Sequence, residues 1–181
     1  MMQNKKSQKG VFAIEMAFVL LGMCAVLYFC FDLGYQQIRK SQLERVSYSL
    51  VSILKERSLI YKKNKNDKSY DIVEQAQVDQ LKKISAVLLK VNESDVSVAV
   101  DFRINAQSKP RLSALSNGVA CVPQIALTNK LDVNLEKSGD PAPIYQVTVC
   151  QKVPAWFEST IGSNKSKNSR ILQAQSTFIG R

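Results

Sequence analysis

One feature restricts this chain more than any other: an unbroken apolar run from Val11 to Phe31 that holds a single charged residue, Glu15. As a helix, its 21 residues rise about 31 Å, close to one hydrocarbon thickness. The run is too long for an ordinary core helix of a small soluble domain. No small-residue cleavage site closes it at Phe31-Asp32-Leu33-Gly34, which disfavours a conventional secretory signal. The run therefore predicts a transmembrane helix over residues 11–31.

Two details carry the reading past a plain anchor. Glu15 lies where an acidic side chain costs roughly 2.5–3.5 kcal/mol on insertion scales, so something must compensate it. Gly10 stands between a short basic leader (Lys5, Lys6, Lys9) and the run, five residues before Glu15. A residue without a side chain lets a peptidase strand pass close over the backbone there. Cutting after Gly10 would create an α-amino group on Val11. That ammonium and the Glu15 carboxylate lie near the same end of one helix. In a packed bundle, the amine of one subunit could neutralise the glutamate of its neighbour.

The stretch Lys9-Gly10-Val11-Phe12-Ala13-Ile14-Glu15 resembles a type IV prepilin processing site, with glycine before the cut and glutamate fifth after it. Farther on, Phe31-Asp32-Leu33-Gly34 and the stretch from Leu43-Glu44-Arg45-Val46-Ser47-Tyr48-Ser49-Leu50 to Lys55-Glu56-Arg57 resemble the TadE/TadF pseudopilins, TadF more closely. The resemblance covers residues 8–61, and Tyr35 departs from it where an arginine often follows Asp-x-Gly. It implies a minor pseudopilin of the tight-adherence (Flp, type IVc) pilus, cut by a prepilin peptidase between Gly10 and Val11, with Glu15 serving assembly. The implied partners are other pilins and pseudopilins, inner-membrane assembly proteins of the pilus machinery, the prepilin peptidase and the inner membrane itself. The implied role is support of pilus biogenesis and surface adherence. Charge counting barely orients the span, since Lys5, Lys6 and Lys9 on one side face Arg39, Lys40 and Arg45 on the other. The resemblance and the distal cysteines place the leader in the cytoplasm and the body in the periplasm.

Beyond the span, no proline or glycine occurs from Tyr35 to Tyr61, and Leu43, Val46, Leu50, Ile53, Leu54 and Tyr61 recur at helical spacing. Residues 11–61 are expected to form one rod of about 75 Å, with Gly34 the natural place for a bend. The stripe is expected to pack against the domain that follows. Lys62 to Ser69 reads as a solvated basic linker. Asp71 and Glu74 can cap a second helix reaching about Lys90, with Ile72, Val73, Ala76, Leu81, Ile84 and Leu88 on a broad apolar side.

The period then changes to two. Val96, Val98, Val100, Phe102 and Ile104 alternate with Ser97, Ala99, Asp101 and Arg103, predicting a half-buried strand. Ser116-Asn117-Gly118 and Ser138 to Pro143 mark breaks. Tyr145, Val147 and Val149 define a second strand, and Arg170 to Ile179 can supply a last one. Trp156-Phe157, after Pro154, is expected to close the core of the small sheet. The fold class expected is α+β: a long N-terminal helix, a second helix and a small antiparallel sheet, pilin-like. The division expected is a leader over 1–10, the span over 11–31, an amphipathic continuation over 32–61 and a periplasmic head over 62–181.

Composition narrows the chemistry. The 181 residues include no histidine, which removes His-based triads and the commonest metal ligand. The four cysteines form no C-x-x-C pair. Cys24 and Cys30, six apart on a helix, point in different directions and read as apolar fillers of the span. With the head in the periplasm, a disulfide between Cys121 and Cys150 is the simplest reading, stabilising by roughly 3.5 kcal/mol in the chain-entropy model. No catalytic constellation, cofactor or metal is expected, and the chain does not read as an enzyme. The net charge is +10; without the leader, 22 basic residues face 15 acidic ones. A rival reading, a DNA-binding minor pilin of an uptake system, needs basic residues interleaved with exposed aromatics on the head. The basic residues are scattered apart from the run Lys62 to Lys68, which argues against nucleic acid. A generic single-span anchor that keeps residues 1–10 is the other alternative.

Overall fold

Helix α1 (Lys5–Lys55) is the first element of the computed structural model, which describes residues 5–56, 72–128, 133–134, 139, 141–161 and 169–180. Its 51 residues contain no proline, and helical structure runs unbroken through Gly22 and Gly34. The elements that follow are α2 (Gln75–Leu89), a single 3-10 turn (Glu93–Asp95), β1 (Val96–Ile104), β2 (Gln107–Ser108), β3 (Leu112–Ala114), β4 (Ile144–Pro154), the short helix α3 (Trp156–Ile161) and β5 (Ser169–Ile179). This is the α+β class, a long N-terminal helix with a second helix and a small antiparallel sheet. Tyr61, the linker over 62–69 and Asp71 lie outside the described residues.

The chain divides into two compact units. One combines Met1–Gln37 with Ala155–Asn168, and the other combines Ile38–Pro154 with Ser169–Arg181. In the second unit the sheet runs β2-β1-β4-β5, and β3 pairs with β1 on the same edge as β2. Every pairing is antiparallel, with Val98 opposite Val149, Val100 opposite Val147 and Phe102 opposite Tyr145. At the β1–β2 hairpin, Asn105 and Ala106 both take positive φ (52° and 60°), the backbone that a two-residue hairpin with matching twist requires. The Arg103 guanidinium holds this turn, donating to Ala106 O at 2.7 Å and to Ser108 Oγ at 2.8 Å.

One face of the sheet carries the main core. Val96, Val98, Val100, Phe102 and Ile104 of β1, Tyr145, Val147 and Val149 of β4 and Ala174 of β5 pack with residues of α1 and α2. The α1 stripe follows the expected spacing with one exchange. Leu43, Val46, Leu50 and Leu54 are buried, Val51 joins them, and Ile53 is exposed. At about 100° per residue the buried arc runs from Val46 through Leu43 and Leu54 to Val51, so Ile53 falls just outside it. Ser47 lies inside that arc, its Oγ 2.7 Å from Ser176 Oγ of β5.

Helix α2 starts at Glu74, whose backbone N–H donates to Gln77 Oε1 at 3.1 Å in a capping box. It stops at Lys90 in the left-handed conformation, where the Val91 N–H returns to Ala86 O. Its buried face differs from the broad apolar side expected. Val78, Leu81, Ser85, Ala86 and Leu89 are covered and Val73 packs just before them, whereas Ile72, Ala76, Ile84 and Leu88 are exposed. Apolar residues lie around most of this helix, and only the sheet decides which of them are covered.

The half-burial expected of β1 is also corrected, because β1 and β4 are covered on both faces. Away from the helices, the segment after β3 lies across Ser97, Ala99 and Cys150. Ser97 Oγ donates to Val119 O and accepts from the Ser116 N–H, both at 2.8 Å. Farther along, Gln175 Oε1 accepts from the N–H of Gln124 (3.1 Å), and its Nε2 donates to Ile125 O (2.8 Å). Gln146 Nε2 donates to the same carbonyl at 2.8 Å. These amide side chains bind the segment much as a neighbouring strand would.

Gly180 closes the sheet end tightly. A Cβ there would sit 2.8 Å from Pro143 Cγ and 2.9 Å from Tyr145 Cε2, and Tyr145 is fully buried. Gly180→Ala is therefore expected to destabilise this unit by about 1–3 kcal/mol, the usual result of overpacking. Thermal unfolding followed by circular dichroism on the full chain in detergent reads this directly. An unchanged midpoint would mean that the Pro143 ring yields freely.

Candidate assembly site on the N-terminal helix

Gly10, Val11 and Glu15 all lie on α1 and are exposed. A Cβ on Gly10 would meet nothing within 4 Å, so the fold itself places no demand for glycine at this position. The Gly10–Val11 peptide bond sits inside the helix, with a helical turn before it. Val11 and Glu15 are four residues apart and stand one above the other on the same helical face. Glu15 has no hydrogen-bonding or ionic partner among the described residues.

The surroundings of Glu15 are apolar and uncovered. Phe18 is 71% exposed and Phe12 64%, with Val11, Ile14 and Val19 also open. This stretch is long and apolar enough to cross a membrane, and none of the residues in its apolar window is buried among the described residues. Contiguous apolar surface of this extent on a soluble monomer is rare and marks contact with protein or lipid. Cys24 and Cys30 are free and exposed on the same stretch.

Toward the end of the run, one helical face carries Tyr28, Phe29, Asp32, Tyr35 and Gln36, and α3 packs on it. The Phe157 ring lies 4.9 Å from Phe29 and 6.1 Å from Tyr28, and Trp156 lies 4.7 Å from Tyr35, measured between ring centroids. Tyr28 Oη and Thr160 Oγ1 are 3.3 Å apart. This corrects the expectation that Trp156-Phe157 closes the core of the sheet: the pair packs on α1 in the first unit. Asp32 is buried at 3% exposure. Its Oδ2 accepts from Gln36 Nε2 at 2.9 Å, and Oδ1 has no hydrogen-bond partner among the described residues. The sequence reading missed Asp32 as a buried group; its one signal was a carboxylate directly after an apolar run.

Cys121 and Cys150 lie in the second unit and form a disulfide, with Cα atoms 5.5 Å apart and a separation of 29 positions in sequence. They pack with Ala99 and Val119 in a small cluster on the sheet face away from the helices. No group of three or more His, Cys, Asp or Glu that could hold a metal occurs among the described residues.

A long helix with an apolar, exposed first half and a small α+β unit stapled by a disulfide fit a pilin-type subunit. The family model described as "Putative tight adherence pilin protein F" (TadF) matches residues 3–181, and the chain belongs to that family, a pilin component of the tight-adherence (Tad) pilus. Membership implies association with other pilus components and fits a membrane location. No curated protein and no solved structure matches the chain.

Proposed function

We propose that the chain is a minor pseudopilin of the Tad pilus, cut after Gly10 by a prepilin peptidase and supporting pilus biogenesis and surface adherence. In this reading residues 1–10 are a cytoplasmic leader and 11–31 span the inner membrane. Residues 32–61 continue the helix, and 62–181 form a periplasmic head. One observation carries it: an exposed apolar run whose one carboxylate, Glu15, has no partner among the described residues and stands on the same face as the amine that cutting would create. Partners are other pilins and pseudopilins, inner-membrane assembly proteins and the peptidase.

The bond to be cut lies in a helix, so the peptidase must unwind the turn around it. Glycine eases this by about 1 kcal/mol relative to alanine. Gly10→Ala is therefore expected to slow maturation, and a bulky Gly10→Leu to block it. Intact-mass measurement on protein from its native membrane should give a mature chain beginning at Val11. A chain that keeps residues 1–10 would remove the processing step and leave a generic anchor.

A further inference from the structure

The aromatic group on the first unit has a definite place relative to the apolar run. Tyr28 precedes the last residue of the run, Phe31, by three positions, and Tyr35 follows it by four. The two tyrosines are about 10 Å apart along the helix, slightly more than the headgroup region on one side of a bilayer, about 5–8 Å. Helix α3 lies alongside this interval. Trp156 stacks beside Tyr35, Phe157 beside Phe29, and Thr160 reaches Tyr28, so α3 runs back toward the apolar stretch. Trp156 stays 38% exposed after making this contact.

We infer that α3 is a membrane-interface foot: Trp156, with Tyr28 and Tyr35, sits at the headgroup–acyl boundary of the leaflet where the apolar run ends. This rests on the reading that residues 11–31 span the membrane. Three observations favour lipid as the occupant. Tryptophan and tyrosine concentrate at membrane–water interfaces because each joins an apolar ring to one polar group. The group is continuous with the uncovered apolar stretch that lipid would surround. Asp32, at the depth where a bare carboxylate would meet acyl chains, is instead buried on the face that carries α3, with Gln36 donating to it. The foot would fix the depth of α1 and stop the helix from sliding along the membrane normal.

Trp156 is the only tryptophan in the chain, so the native protein reports on itself. The full chain is reconstituted in phosphatidylcholine/phosphatidylglycerol vesicles, with part of the phosphatidylcholine brominated either near the carbonyl end or at mid-chain. The expected result is blue-shifted emission, strong loss with shallow bromine, weaker loss with mid-chain bromine and little loss with aqueous iodide. Quenching by iodide and by neither lipid would put Trp156 in water and overturn the inference. Protection from all three quenchers would also overturn it, showing that a second protein surface covers the ring. Release of the protein from vesicles by alkaline carbonate would instead refute the span itself.

Discussion

Glu15→Leu is expected to abolish pilus assembly while leaving the protein in the membrane at its normal level and still cut after Gly10. The substitution only makes the proposed span more apolar, removing a residue that costs roughly 2.5–3.5 kcal/mol on insertion scales, so anchoring is not expected to suffer. The proposed cleavage site stays in place. What changes is the contact with a neighbour. If the Val11 ammonium of an adjacent subunit supplies the partner that Glu15 lacks among the described residues, leucine leaves that ammonium buried and unpaired. Breaking a buried pair in this way costs about 3–5 kcal/mol, or roughly two to four orders of magnitude in association. Glu15→Asp should fall between, because its shorter side chain reaches the same amine less well. Complementation of a deletion strain reads this, scoring fibres together with membrane level and processing state. Normal fibres at normal protein level with Glu15→Leu would show that the pairing does not exist.

The parts of this molecule that were legible in the sequence are the parts set by local pattern. The long apolar helix, the stripe Leu43-Val46-Leu50-Leu54 and the period-two runs of β1 and β4 each depend on residues a few positions apart. What could not be read was decided by distant cover. Ser97, Ala99 and Cys150 look like a solvent face by alternation, yet they are small enough for the segment after β3 to lie on them. Helix α2 offers apolar residues around most of its circumference, and the sheet selects Val78, Leu81, Ala86 and Leu89. The aromatic contacts of α3 join positions 132 residues apart in the case of Tyr28 and Thr160, a distance over which periodicity carries no information. The proposed processing and assembly residues therefore rest on a motif, whereas the Asp32–aromatic face emerged only from packing.

Removing the Cys121–Cys150 bond is expected to have the largest effect on stability. Opening a loop of about 30 residues releases roughly 3.5 kcal/mol of chain entropy in the unfolded state, a large share of the 5–15 kcal/mol that holds a typical domain. The expected drop in unfolding midpoint is roughly 10–20 °C. Cys121→Ala/Cys150→Ala should fall further than the reduced wild type, because the sulfur atoms also fill the cluster with Ala99 and Val119. The segment after β3 should nevertheless stay on the sheet in both cases. Ser97 ties it at Ser116 and Val119, and Gln175 ties it at Gln124 and Ile125, on either side of the cysteine. Loss of the bond is thus expected to lower the midpoint without splitting the transition. Thermal unfolding of the full chain in detergent, with and without reductant, measures the size of the effect. Peptide mapping without reduction, on protein taken from its native membrane, tests the bond itself. Free thiols at both positions would mean that the head matures in a reducing compartment. The periplasmic placement of residues 62–181 would fall with that result, whatever the fate of the pairing at Glu15.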